Sequence, residues 1–355
     1  MPAPAPKEGI SVKTSRLAGL AIVAVATMTL AACSSDPGAT DASPSNAPTA
    51  DSGAQFPITI EHAFGETVIE AKPERVATVA WSNGEVPLAL GIVPVGIAAQ
   101  PWGDDDGDGI MPWVEDQLTE LGAEAPVLFD ETDGIDFEAV AATEPDIILA
   151  TYSGLTQEEY DTLSQIAPTI AYPEFAWGTS WQDQILVSSK ALGLASEGEA
   201  LVEELTGTIE DSLAKYPALV GTKTLFSFLS PADTSIIGFY TLTDTRPGFL
   251  ESVGIPAPQV VVDATAADPA LFYTQISAEE ADKISDAGLI ITYGDDSTLA
   301  ALQADPILGT VPAIKAGAVA VLADSTPLSA SANPSPLSIG WGIDDYFALL
   351  AAPLG

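Results

Sequence analysis

The sequence predicts an α/β protein of two lobes, each a mainly parallel sheet flanked by helices, joined by one long helix. Three observations predict it. Short β-rich runs alternate with helical runs from residue 75 to 173, the alternation gives way to continuous helical periodicity between 180 and 217, and it resumes from residue 223 onward. Alternation of that kind implies sheets covered on both faces by their own crossover helices.

The N-terminus stands outside this pattern. Lys7, Lys13 and Arg16 precede an uncharged apolar run, residues 17–32. That run is shorter than the roughly 20 residues a spanning helix needs, and it reads as an export signal. It ends in Leu30-Ala31-Ala32-Cys33, which resembles the lipobox of bacterial lipoproteins, where the cysteine is lipidated and the signal is cut before it. Cys33 is the sole cysteine, so no intramolecular disulfide can form. Residues 33–55, rich in Ser, Ala, Pro, Asp and Thr, read as a flexible tether from a lipid anchor.

The N-terminal lobe is expected over 56–179. "FPITIEHAFGETVIEA" alternates about Phe64-Gly65 as a hairpin. Buried strands follow at 75–80, 94–98, 126–130, 146–151 and 169–173, with helices at 84–91, 112–121, 136–144 and 156–166. Residues 180–217 are a helical linker: Leu201, Leu205, Ile209 and Leu213 recur at helical spacing, and Ser196 with Glu199 predicts a capping box. A helix of about 21 residues would span about 30 Å. The C-terminal lobe, 218–355, is expected to hold strands at "KTLFSFLS", "SIIGFY", "QVVVDA", "LIITYG" and "AVAVLA", with helices near 246–253, 277–285, 297–304 and 338–352.

Charge and chemistry exclude more than they select. With 50 acidic against 11 basic residues, the chain repels phosphate backbones, so nucleic acid is not an expected partner. Removing residues 1–32 leaves 49 acidic and 8 basic side chains. There is one histidine, His62, placed in the hairpin as a structural residue. No G-x-S-x-G elbow, Walker loop or G-x-G-x-x-G turn occurs, so no enzyme is expected. One histidine and no free thiol also argue against a soft transition-metal site. Asp104, Asp106, Asp108, Gly109 and Glu115 match the spacing of an EF-hand loop. The run before them is a strand and turn rather than an entering helix, and Pro112 starts the next helix. The loop therefore reads as an acidic rim that attracts cations, and a calcium-dependent surface module is the alternative from another class.

Aromatics mark the expected binding region. Trp81, Trp102 and Trp177 follow strand C-termini, where open α/β sheets bind ligands. Trp341 lies in the terminal motif and is expected either there or packing the last helix. Arg246 is the one mature arginine outside "KPERV", and at a helix start it opposes the dipole, which suggests work on an acceptor-rich ligand.

At these residues the chain resembles the substrate-binding lipoproteins of iron–siderophore ABC importers, the class III binding proteins. The likeness runs through "KPERVATV", "LALGIVPVGI", "GIDFEAVAATEPDIILATYSGLT", "IAPTIAYP", "WGTSWQ" and "FLESVGI", in order, over most of 57–352. It implies two lobes on a stiff helix, a ferric siderophore between them, an ABC permease with its ATPase, and a monomer on the extracytoplasmic face of the membrane. It implies no cofactor, because iron enters inside the ligand. It further implies permease docking through Glu138 and Glu279, and ligand contact by Tyr273 beside Trp81, Trp102, Trp177 and Arg246. So few basic groups suit a neutral or cationic ferric hydroxamate of the ferrioxamine kind better than a trianionic catecholate. Cobalamin or heme uptake is the runner-up, with heme disfavoured by the scarcity of histidine.

Overall fold

The structure, a computed structural model, describes residues 54–355. The export signal, Cys33 and nearly all of the 33–55 tether lie outside the described residues. Strands β1 (Ile58–His62) and β2 (Gly65–Ile69) form the expected hairpin. Gly65 turns the corner at φ 122°, a conformation that side-chain-bearing residues rarely adopt. His62 is buried there, 2.9 Å from the Thr67 hydroxyl and against the Tyr160 ring, and burial lowers its pKa.

The N-terminal sheet holds β3 (Val76–Thr78), β4 (Gly96–Ala98), β5 (Val127–Phe129), β6 (Ile147–Ala150) and β7 (Thr169–Ala171). All pair in parallel in the order β5-β4-β3-β6-β7. The order reverses between β3 and β6, which opens a crevice beyond their C-terminal ends.

The second sheet holds β8 (Thr224–Ser230), β9 (Asp233–Tyr240), β10 (Tyr273–Ser277), β11 (Leu289–Gly294) and β12 (Val319–Ala323), ordered β10-β9-β8-β11-β12. The β8, β11 and β12 strands are parallel, while β9 runs antiparallel to both β8 and β10.

Two local expectations fail. "QVVVDA" is helical, within Gln259–Ala267, because only one side of the segment finds a core: Val261 is buried while Val262 faces solvent. The valines' strand preference yields to that one-sided burial. The edge position goes instead to β10, "YTQIS", whose mixed pattern suits a strand paired on one side only. The capping box at Ser196 is also absent. Gly193 at φ 73° closes the helix Trp181–Ala191, the chain re-enters helix at Ala195 without a side-chain cap, and Ser196 falls inside the first turn.

The long connection is the 19-residue helix Ala195–Leu213. Its Leu205, Ile209 and Leu213 join Val86 of the first lobe and Phe226, Phe249 and Phe347 of the second in one continuous apolar core. The C-terminal helix Pro336–Ala351 adds a second bridge. Its far end packs Tyr346, Phe347 and Leu350 into that core, while its first turn returns to the N-terminal lobe.

Glu85 receives that turn. Its carboxylate is 1 % exposed and accepts from Trp113 Nε1 at 2.9 Å, from Leu337 N at 3.1 Å and from the Ser335 hydroxyl. Burial pushes its pKa up to about 7, against the opposing pull of those hydrogen bonds. The folded protein therefore binds this proton more tightly than the unfolded chain does. Its contribution to stability is full below the ordinary value of 4.5 and is lost as pH rises to about 7. Denaturant titrations between pH 5 and 8 should show that slope, and Glu85→Gln should reduce it; equal slopes in both proteins would remove Glu85 as a cause. Glu85→Ala, which takes the acceptor from three donors, should cost about 3 kcal/mol of stability at pH 5 and less at pH 8.

Candidate ligand cleft between the lobes

The turn after β3 is held in a shape that few sequences tolerate. Ala80 and Ser82 both take left-handed backbone, at φ 62° and 58°. Asn83, fully buried, ties the turn across the switch point. Its amide donates to the carbonyls of Val79 at 2.8 Å and Tyr152 at 2.8 Å, and its oxygen accepts from Tyr152 N and the Thr151 hydroxyl, each at 3.0 Å. Glu131 accepts from Ala80 N at 3.0 Å; burial pushes its pKa up to about 7, the Ala80 bond opposes this, and Glu159 adds to it. Trp81 is thereby presented to the crevice.

Trp177 reaches it from the loop after β7, at φ 59°, with its ring edge-on to Tyr152 at 5.3 Å. A Cβ on Gly154 would stand 2.3 Å from the indole nitrogen, so only glycine allows this closure. Trp102 meets Trp81 at 6.4 Å and, across the lobes, Tyr293 at 5.5 Å.

The opposite wall comes from the helix Thr245–Ser252. Asp244 caps it by accepting from Arg246 N at 3.0 Å. The same carboxylate takes Arg246 Nε at 2.8 Å and a terminal nitrogen at 2.7 Å, a bidentate pair in which the Asp244 side chain is only 2 % exposed. Tyr293 accepts from the other terminal nitrogen at 3.2 Å, and the guanidinium lies 3.7 Å from the centre of the Tyr240 ring. Burial alone would lower the Arg246 pKa, but Asp244 outweighs it and holds the value above the ordinary one.

Tyr152 closes the floor of the cleft. Its hydroxyl accepts from Asn333 Nδ2 at 3.0 Å and lies 3.2 Å from the Thr245 hydroxyl, joining the end of β6 to the second lobe. Burial pushes the phenol up to about 12, with Asp244 adding to the rise, so it stays neutral. Together Trp81, Trp102, Tyr152 and Trp177 of one lobe and Asp244, Arg246, Phe272, Tyr293, Ala330 and Asn333 of the other enclose about 680 Å³, counted out to the open mouth. The walls are aromatic, and one compensated ion pair supplies all their charge.

Trp81, Trp102, Trp177 and Arg246 thus come together as expected. Tyr273 does not line the cleft: it packs edge-on against Tyr240 at 5.2 Å, and its neighbour Phe272 forms the wall. Trp341 lies elsewhere, 5.2 Å from Trp113. Glu138 is exposed in the first turn of Phe137–Ala142, and Glu279 is exposed in the first turn of the 3₁₀ helix Ala278–Ile284. Sequence reasoning missed Asn83, Tyr152, Asp244 and Asn333. Of these only Asp244 left a trace, as a helix cap two residues before an arginine.

The acidic loop gathers Asp104, Asp106 and Asp108, with one carboxylate oxygen from each within 4.8 Å of the others. Asp104 accepts from the backbone nitrogens of Asp106, Gly107 and Gly109, and Pro112 opens the following helix. The carboxylates of this loop brace its own turns.

The sequence matches the family described as periplasmic binding protein over residues 76–326. It is 28 % identical over 284 residues to the probable siderophore-binding lipoprotein YfiY of Bacillus subtilis, covering 78 % of this chain and 79 % of that one. Among solved structures it resembles PiaA of Streptococcus pneumoniae in complex with ferrichrome, with 48 % identity and a TM-score of 0.80, over 83 % of this chain and 98 % of PiaA. A periplasmic solute binding protein of Mycobacterium smegmatis matches at 29 % identity and a TM-score of 0.67, over 84 % of this chain and 99 % of that one.

The floor contact gives a direct test. Tyr152→Phe removes only the oxygen that joins Thr245 and Asn333, and should lower stability by about 1–2 kcal/mol. Chemical denaturation matching the parent protein would show that the bridge adds nothing to lobe pairing.

Proposed function

The chain belongs to the periplasmic binding protein family, and on that premise we propose that it captures a ferric siderophore of the hydroxamate class in the interlobe cleft and delivers it to an ABC importer. The observation that carries this reading is the cleft itself: six aromatic rings around one guanidinium whose charge is already balanced. Such a surface suits a bulky, uncharged, acceptor-rich chelate. Ring faces cover the ligand's apolar body, and the N–H groups of Arg246 left free by Asp244 and Tyr293 meet its oxygens. The ferrichrome complex of PiaA, at 48 % identity, supports the same class.

Iron enters as cargo inside its chelator, and the protein needs no cofactor or metal ligand of its own. No histidine or cysteine lines the cleft. The family is one of binding proteins.

The protein acts as a monomer on the extracytoplasmic face of the membrane, held by a lipid on Cys33. Two features support the anchor: the Leu-Ala-Ala-Cys motif, and the lipoprotein name of the Bacillus relative. No helix among the described residues is long and apolar enough to cross a membrane. Glu138 and Glu279, one exposed on each lobe, engage basic groups of the permease, whose ATPase drives uptake. The continuous core through the linker helix favours small lobe movements over wide closure.

Titration with a neutral ferric trihydroxamate should quench tryptophan fluorescence saturably. Trp102→Ala or Trp177→Ala should weaken binding about tenfold, the equivalent of about 1.4 kcal/mol. Glu138→Ala with Glu279→Ala should leave that affinity intact and abolish iron uptake by cells. Absence of any response to ferric trihydroxamates would end the hydroxamate reading.

A further inference from the structure

Arg246 and Asp244 face the same cleft yet divide its work unequally. Arginine carries five N–H donors, and three are engaged internally: two by Asp244, at 2.7 and 2.8 Å, and one by Tyr293 at 3.2 Å. The remaining two belong to a side chain that is 17 % exposed, over the Tyr240 ring. Arg246 therefore offers donors to a ligand while its charge is already answered.

The charge of Asp244 has no other task in sight. As cap of the helix Thr245–Ser252 it accepts from a backbone N–H, which an asparagine oxygen does equally well. No other charged group lines the cleft. An anionic chelate would carry its charge into an aromatic enclosure with nothing left to balance it, inside a protein that is already strongly acidic.

We propose that Asp244 sets the charge selectivity of the cleft: by neutralising Arg246 in a buried bidentate pair, it reserves the cleft for uncharged ferric chelates and rejects anionic ones. This rests on the siderophore reading above and adds to it the residue that chooses between ligand classes. Selection comes from cancelling an attraction to the wrong ligand rather than from a contact with the right one.

The experiment measures affinities of the purified protein for a neutral ferric trihydroxamate and a ferric tris-catecholate trianion, at low and high salt. Asp244→Asn keeps the cap and exposes the charge of Arg246. It should gain about tenfold or more for the trianion, with a salt dependence the parent lacks, and should change far less for the neutral chelate. The double variant Asp244→Asn with Arg246→Gln should lose that gain. Arg246→Gln alone leaves the carboxylate unbalanced and should favour a trihydroxamate bearing a free ammonium group. This keeps the proposal testable if Asp244→Asn folds poorly.

Equal loss for both chelates in Asp244→Asn would show that Asp244 merely holds Arg246 in place, and would overturn the proposal. So would an unchanged affinity for the trianion. A parent protein that binds the neutral chelate alongside either result leaves the siderophore reading standing. A parent that binds neither chelate ends that reading, and the trianion affinity of Asp244→Asn still decides the charge argument.

Discussion

A single carboxylate with no counter-ion, Glu85, sets where the two lobes meet. It sits on a short helix of the first lobe and takes its hydrogen bonds from Trp113 of that lobe and from the first turn of the C-terminal helix. Helix N-termini favour negative charge, so the orphan donors of that turn and the buried acceptor solve each other's problem. The remainder of the same helix is committed to the second lobe through Tyr346, Phe347 and Leu350. Sliding one lobe against the other would strand the Ser335 hydroxyl and the Leu337 N–H in an apolar setting, which makes the junction resist small displacements as well as large ones.

That junction and the cleft are mechanically continuous. Glu85 follows two residues after Asn83, whose amide ties the β3 turn to Tyr152. Tyr152 in turn holds Asn333 and Thr245, and Thr245 lies between Asp244 and Arg246. From the clamp to the ion pair the path runs through buried and partly buried polar groups, each hydrogen-bonded to the next. Networks of that kind tolerate one arrangement and penalise others. The cleft is thus preorganised, and its shape is inherited from the way the lobes are joined.

The sequence is legible where a signal is local. Three-residue strands such as β3 and β7 announce themselves because both faces are buried, leaving short β-rich runs without charge. Pro112 marks a helix start by its own geometry. The three cleft tryptophans follow strand ends, so the rule for open sheets locates them. The failures share a different cause. Whether "QVVVDA" is strand or helix depends on which side finds a core, and Tyr273 is drawn against Tyr240 by a strand pairing that its own neighbourhood does not announce. Asn83 and Asn333 are ordinary polar residues until a distant chain segment supplies their partners. Glu85 reads as one acid among many, because what sets it apart is 250 residues away at Ser335.

Charge explains why an arginine is retained in the cleft at all. Eight basic side chains remain beyond residue 32, and only this one lies in the cleft. Oxygen-rich chelates need N–H donors, and apart from the indoles and the Asn333 amide the wall of rings and carboxylate offers only those of Arg246. A bare guanidinium would provide them at the cost of a strong pull on every anion outside. Pairing it with Asp244 keeps the directional donors and removes the long-range field, since the field of a tight ion pair falls off faster than that of a single charge. For the ligand class proposed above, recognition inside the cleft would then be governed by shape and hydrogen-bond geometry, with the acidic exterior acting on what approaches. Short-range and long-range electrostatics are separated by one carboxylate.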